Sequence, residues 1–548
     1  MQSTDFKSVA STIPPLPQTF LDPNYYTLQS LINLIEIADY FMKKELKCLV
    51  VSSRQISDIE KKLFDAGMPV AALMEKAAIL TANRIKHLYP NAKKVSVLVG
   101  PGHNGGDGLV IARELHLAFY QVSIYLFSKE NAKELTRQHL QYAEYLTIPI
   151  CESIEEILEA ELIIDGFLGY GLTREISGEL HELINRVNIS GIPVLSIDIP
   201  SGINSDTGAT MGIAIAAERT FCLGMWKLAH FQDQAIVNLG EIELIDIGIT
   251  DIAFENNQQP TRTILSYCLA QKYLPLPRHR LAHKYQQGHL LLICGSSRYG
   301  GSAILSGLGA RAGGVGMLSI AVPSSLKSLL VGQLPEALVI GCSETTSGAI
   351  AEIEGLDLSQ YDAIVCGPGL TIEAHHLIPK ILESSLPVIL DADALNSLAL
   401  LNLIPSLPYR NSPTILTPHL GEFKRLFPQI KDPEQDRFTS VSLASQLSGS
   451  MILFKGARTL VSNPDGQIWC VAQSTPALAR GGSGDVLAGL IGALVAQSFS
   501  KDLSAVVATA AWWHAQAALM AEQERTELGV DPLTLSKYLA KVLSPLVI

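Results

Sequence analysis

Residues 94–120, KVSVLVGPGHNGGDGLVIARELHLAFY, hold the reading on which the fold turns. An apolar run through Val95–Val99 suits a strand buried on both faces. It meets a glycine-rich loop at 100–108, after which apolar residues recur at helical spacing from Leu109. Strand, glycine loop and helix in that order open a doubly wound α/β unit. Gly100, Gly102 and Gly105 fit the dinucleotide-binding spacing, a weak signal by itself. Asp107 departs from it, because a carboxylate at a helix entrance repels a pyrophosphate where an anion should be favoured. The loop therefore suits a cation or hydroxyl groups as well as phosphate.

Working outward, helical patterns at 56–67 and 69–89 precede this unit, and strands QVSIYLF (121–127), ELIID (161–165) and VLSIDIP (194–200) follow, with helices between them. Such alternation predicts a parallel sheet. The periodicity lapses in FENNQQPTR (254–262) and LPLPRHRLAHKYQQG (274–288). A second α/β series then runs through HLLLICG, MLSIAVP, YDAIVCGPG, LPVILDADALN, PTILTPH and MILFKGARTLV, ending in long apolar helices after Gly484. The expected organisation is an extension at 1–48 of no assigned role, a first domain at 49–250, a linker at 251–273 and a second domain at 274–548.

Composition narrows the partners. The 548 residues are 47% apolar and 17% charged, with a mean hydropathy of +0.24, which supplies ample core and excludes a disordered chain. Lys plus Arg is 41 against 53 Asp plus Glu, a formal charge of −12, so nucleic acid is not an expected partner. Eight cysteines without a CxxC pair fit a reducing compartment, and the N-terminus lacks a signal-peptide pattern; a cytoplasmic location is expected. The apolar stretches 486–497 and 503–520 read as two buried helices, since the first falls short of the ~20 residues a span needs and the second carries His514 and Gln516 near its middle.

Two sets of residues carry chemistry. In the first domain Asn104, Asp107, Asp165, Asp198 and Ser201 lie at or just beyond strand ends, where an open parallel sheet forms its ligand crevice. Each Asp alone could be a cap or turn former. Together, their hard oxygens suit an alkali or alkaline-earth ion. In the second domain GGSGD (481–485) opens a helix whose first amides can hold an anion. Asp485 at its mouth could accept a hydroxyl proton while the amides stabilise transferred phosphoryl charge. Gly369, His419 and Lys455 follow other strands, His419 as a candidate ligand contact and Lys455 as a candidate phosphate partner.

These motifs carry a resemblance. Residues 49–248, through LMEKAA (73–78), GPGHNGGDG, IDGFLGYGLTRE (164–175) and SIDIPSG (196–202), resemble the NAD(P)H-hydrate epimerase family. The resemblance implies a Rossmann-like three-layer αβα domain. Substrate would be held by His103, Asn104, Gly105, Gly106, Asp107, Gly169, Tyr170, Gly171, Leu172, Thr173, Arg174, Glu175 and Asp198. Potassium would be held by Asn104, Asp165 and Ser201, with Asp198 as the acid/base at the hydrated carbon. His103 stands where the family has a second Asn.

Residues 274–521, through HKYQQG, CGSSRYGGSA, GPGL, DADALN, LTPHLGEF, KGARTLV and ARGGSGDVLAGLIGAL, resemble the ADP/ATP-dependent NAD(P)H-hydrate dehydratases. A ribokinase-like αβα domain is implied. Ser302, Gly369, His419 and Asp485 would contact the hydrated substrate, with Asp485 catalytic. Lys455, Gly456, Ala457, Arg458, Thr459 and Gly484 would hold the adenine nucleotide. Tyr285, Cys294 and Ser302 depart from the family pattern of Gly, Gly and Ala.

The combined expectation is a bifunctional repair enzyme, isomerase and lyase. It would interconvert the R and S forms of hydrated NADH and NADPH and return the S form to NAD(P)H, using ADP or ATP, Mg2+ and K+, as a homo-oligomer with no membrane partner. A small-molecule kinase fused to a dinucleotide-dependent oxidoreductase is the alternative, and a non-catalytic nucleotide-sensing scaffold a third reading.

Overall fold

The computed structural model describes residues 46–254, 261–353, 355–498 and 502–543. Most of the N-terminal extension, including the apolar pattern at 30–41, lies outside them. The two α/β series form two separate sheets, as the alternation requires.

The first sheet runs, in spatial order, Ile150–Cys151, Gln121–Leu126, Lys94–Val99, Leu162–Gly166, Val194–Ile197, Arg219–Leu223 and Glu241–Ile245. Every neighbouring pair is parallel. Val95–Val99 are all buried because helices cover both faces. The chain winds one way from Lys94–Val99 and the other way from Leu162–Gly166, so the strand order reverses between these two strands. Such a switch point opens a crevice beyond their carboxyl ends. Gly100 and Asp165 stand at that edge, with Leu98 paired to Asp165 in register.

The second sheet runs Arg262–Ile264, Ile468–Val471, Thr459–Ser462, Met451–Phe454, Thr414–Leu416, Val388–Leu390, Ala363–Cys366, His289–Ile293, Met317–Pro323, Leu338–Glu344 and Ile350–Glu352. Its central strands, from Met451–Phe454 to Leu338–Glu344, are parallel, and antiparallel partners flank them. Its switch point falls between Ala363–Cys366 and His289–Ile293, below Gly367 and Cys294. The helices Ser483–Ala496 and Leu503–Arg525 are buried over one face, and no described helix is long and apolar enough to cross a membrane.

Helix Gly300–Gly313 lies back to back with Ser483–Ala496, and glycine makes this possible. A Cβ on Gly489 would overlap the Ser306 carbonyl, and one on Gly309 the Val486 carbonyl. The close approach aligns the two N-termini, placing Ser302 beside Asp485.

Residues 251–273, read from the sequence as a linker, supply the strand Arg262–Ile264 and the helix Tyr267–Tyr273 to the second half. Three and seven residues are too short to display a period. Val50–Val51 pairs with Trp226–Lys227, and Leu49 bridges to Thr263, so the residues just after the extension touch both halves. Leu228 and Phe231 of the first half are buried in the same apolar cluster as Phe423, Phe438 and Phe454 of the second.

Candidate active site

A cavity of about 570 Å³ opens at the first switch point, within the usual range for ligand sites. Of the residues read as substrate contacts, His103, Asn104, Asp107, Gly169, Tyr170, Gly171, Leu172, Thr173, Arg174 and Asp198 line it. Gly105 and Gly106 do not. They sit inside helix His103–Leu117, against the Gly100 backbone and the Met74 side chain. Glu175 also lies outside the lining. The helix begins at His103, so Asn104 and Asp107 project from its first two turns rather than from a loop.

Asp198 follows strand Val194–Ile197 with a φ of +67°, a left-handed conformation uncommon outside glycine. Its surroundings hold it there. The Leu223 N–H donates to Oδ1 at 3.1 Å, the Lys227 ammonium forms an ion pair with the same oxygen, and His230 Nε2 lies 3.0 Å from the Asp198 carbonyl. Lys227 is itself buried; burial opposes its charge, but Asp198 keeps its pKa above the ordinary value. Burial, with Lys227 nearby, lowers His230 to about 4, so its ring is neutral.

Two further carboxyl groups face this pair. Burial, then the charges of Asp198 and Glu60, push Asp107 well above the usual carboxylate range. Burial also raises Glu60, although it accepts a 2.7 Å hydrogen bond from Tyr170. Lys227 faces all three carboxyl groups, and their crowding, with burial, favours the protonated form of Asp107. The sequence reading missed Glu60, Lys227 and His230. Their partners lie 110, 29 and 32 residues away along the chain.

Asp165 lies beneath the cavity, fully buried. Its oxygens accept from the Ser196 hydroxyl, the Ser201 N–H and hydroxyl, and the Phe167 N–H. None of these donors is a cation, and burial raises its pKa. The Asn104 amide donates to the Leu168 carbonyl at 3.0 Å, and the Ser201 hydroxyl accepts from Leu168 N–H at 2.9 Å. Amide, carboxylate and hydroxyl oxygens thus gather around one loop. A buried carboxylate without a cationic side chain among its donors, near amide and hydroxyl oxygens, could hold an alkali or alkaline-earth cation.

The second site lies at the other switch point. Burial pushes Asp485 up to about 6, with a hydrogen bond from Ser302 pulling it down. The nearby Lys455 ammonium bonds Asp391 Oδ1 at 2.6 Å. Burial pulls the Lys455 pKa down, but Asp391 and Glu422 more than offset it. Burial lifts Glu422 to about 7. A Cβ on Gly484 would come within 3.7 Å of Lys455 Nζ, so the GGSGD amides and the lysine share one space. Gly369 also joins the site, a Cβ there lying 2.9 Å from the Ser302 hydroxyl. His419 caps helix Leu420–Leu426 through Nδ1, accepting from the Gly421 N–H at 3.0 Å, while its ring stays half-exposed toward Lys455. It is a helix cap and a candidate contact at once. Asp391 and Glu422 were legible only as motif letters.

The nucleotide-loop residues 455–459 are gripped from below. The buried Arg437 guanidinium donates to the Phe454, Lys455 and Arg458 carbonyls at 3.1, 3.2 and 3.4 Å. Asp233, from the first half, accepts from the Arg458 and Ala457 N–H groups at 2.8 and 3.3 Å and pairs with Arg437 at 3.2 Å.

Residues 70–229 match the family model described as YjeF-related protein N-terminus, and residues 290–541 match the NAD(P)H-hydrate dehydratase model. A Synechocystis protein, "Bifunctional NAD(P)H-hydrate repair enzyme Nnr", is 52% identical over 89% of this chain and 94% of its own. Its namesake in Thermosynechococcus vestitus is 47% identical over 90% of this chain and 97% of its own. The Coxiella burnetii namesake is 31% identical over 91% of this chain and 100% of its own.

Proposed function

The chain belongs to the bifunctional NAD(P)H-hydrate repair enzymes, an epimerase and a dehydratase in one polypeptide, and on that premise we propose how its residues divide the work. Residues 49–250 would carry epimerisation and residues 274–548 dehydration.

Dehydration rests on Asp485. Its ionised carboxylate takes the proton of the added hydroxyl as that oxygen attacks the terminal phosphoryl group of ADP or ATP, and the bond to the departing nucleotide breaks. Phosphate leaves far more readily than hydroxide. The C–O bond then breaks while the neighbouring carbon gives up a proton, restoring the dihydronicotinamide double bond. The 481–485 amides and Lys455 stabilise the transferred charge. Ser302, Gly369 and His419 surround the hydrate, and Lys455, Gly456, Ala457, Arg458, Thr459 and Gly484 hold the nucleotide. Among the described residues no three acidic, His or Cys side chains form a metal-holding group. Mg2+ would accordingly arrive with the phosphates and lean on one or two carboxylates, as this ion commonly does. The observation that carries this reading is a carboxyl of pKa about 6 at a glycine-rich helix start, beside a lysine.

Epimerisation requires the C–O bond at the hydrated carbon to break and re-form on the other face. Asp107, whose protonated form its surroundings favour, would give a proton to the departing hydroxyl, and Asp198, paired with Lys227, would take one from the returning water. His103 to Asp107 and Gly169 to Glu175 would frame the substrate. Asn104, Asp165 and Ser201 would hold K+, which supplies a fixed positive charge below the pocket. We also propose a homo-oligomer, readable by light scattering, and a cytoplasmic setting.

The test uses separated R and S hydrates with ADP or ATP plus magnesium. Asp198→Asn should stall loss of the R form and spare the S form; Asp485→Asn should abolish NAD(P)H formation from both while leaving R and S to interconvert. Normal S turnover by Asp485→Asn would remove the basis of the dehydration scheme.

A further inference from the structure

The contact between the halves falls on the loop read above as the nucleotide site. Gln232, Asp233 and Gln234 form a short turn in the first half, a few residues after Lys227 and His230 of the epimerase pocket. Gln232 is wholly buried. Its amide donates to the Asp206 carbonyl and to Asp436 Oδ1, each at 3.0 Å, and accepts from the Arg437 N–H at 3.1 Å. Gln234 donates to the Thr207 and Gln435 carbonyls at 2.7 and 2.8 Å. The turn is therefore fastened to both halves, and Phe231, buried among phenylalanines of the second half, anchors it.

Asp233 projects from this turn into the 455–459 loop. Its two oxygens take the Ala457 and Arg458 N–H groups and neutralise Arg437, whose guanidinium stacks 4.0 Å over the Phe454 ring while binding the Phe454, Lys455 and Arg458 carbonyls. The space left is so small that only glycine fits at 456. A Cβ there would collide with Arg437 and sit 2.5 Å from Asp233 Oδ2.

We propose that Asp233 is a positioning residue for the dehydratase. Supplied by the epimerase half, it fixes the 455–459 loop, through its amides and Arg437, in the shape that receives the adenine nucleotide. The proposal rests on reading that loop as the nucleotide site. Asp233 touches neither nucleotide nor hydrate in this scheme. Without it the amides of 457 and 458 lose their acceptor, Arg437 is left buried beside no carboxylate, and the loop loses its fixed outline.

The experiment measures steady-state dehydration and direct ADP–magnesium binding by calorimetry in the full chain, for Asp233→Ala, Asp233→Asn and Lys455→Met. Asp233→Ala should raise the nucleotide KM and Kd about 10-fold, the scale expected for two lost charge-assisted hydrogen bonds after relaxation. It should change kcat and the hydrate KM little, and the epimerisation rate reports that the chain is folded. Asp233→Asn, which keeps an acceptor but not the charge, should fall between. An unchanged nucleotide KM in Asp233→Ala overturns the proposal. So does an equal loss in nucleotide KM, hydrate KM and kcat, the mark of general loosening. Lys455→Met separates the two failures. If it weakens ADP binding while Asp233→Ala does not, the positioning role alone is wrong. If neither variant weakens ADP binding, the loop is not the nucleotide site and both readings fall.

Discussion

The pH dependence of dehydration is the sharpest consequence of the Asp485 environment. Burial raises this carboxyl to about 6, and only its ionised form can accept the hydroxyl proton. At limiting hydrate, kcat/KM should therefore climb as pH rises through about 6 and reach a plateau above about 7. A single titration with that midpoint leaves about a tenth of the sites ionised at pH 5, so the rate there should be about 10-fold below the plateau. Ser302 works in the opposite direction to burial, because its hydroxyl stabilises the ionised form. A hydrogen bond to a charged group contributes about 1.5 kcal/mol, and 1.36 kcal/mol corresponds to one pH unit. Ser302→Ala should thus move the acid limb upward by about one pH unit, whatever the height of its alkaline plateau. The assay is initial loss of S hydrate at saturating ADP and magnesium between pH 5 and 8.5, with buffer blanks for spontaneous decay. Superimposable profiles for the two proteins, or a wild-type rate flat across the range, would refute the assignment of Asp485 as base.

Lys227→Met should leave Asp198 buried without its cation, lowering stability by about 3 kcal/mol in urea titrations and suppressing epimerisation. Adding Asp198→Asn to that variant should recover part of the stability, so strictly additive losses would count against a coupled pair. Gly489→Ala should push its helix off the Ser306 carbonyl, costing about 2 kcal/mol by thermal melting and slowing dehydration as Asp485 leaves Ser302. An unchanged melting point would show that the close approach is dispensable. Replacing K+ by Li+ should slow conversion of R to S hydrate without altering S dehydration, and Asp165→Asn should erase the difference; equal rates in both salts would sink the potassium site.

Much of this architecture was legible because buried parallel strands announce themselves as short apolar runs. Val95–Val99 and Ala363–Cys366 are fully buried on the strands that flank the two switch points. The residues at their carboxyl ends then fell into the crevices that topology dictates. What escaped the sequence was chemistry assembled from distant segments. Lys227 looks like any surface lysine in the string GMWKLAH, and only the fold sets its ammonium against Asp198. Asp233 meets Arg458 across 225 residues and a change of domain. Gly105 and Gly106 are also packed against the Gly100 backbone and the Met74 side chain, a packing role that the motif does not display.

The bridging of Leu49–Val51 to both Trp226–Lys227 and Thr263 has an evolutionary corollary. Dividing the gene near codon 265 would strand one short edge ribbon on the wrong product and evacuate the berth that Phe231 occupies. A lineage drifting toward two independent proteins would first have to acquire a substitute plug for that berth, so selection should resist gene fission at this point and tolerate it only after compensating change.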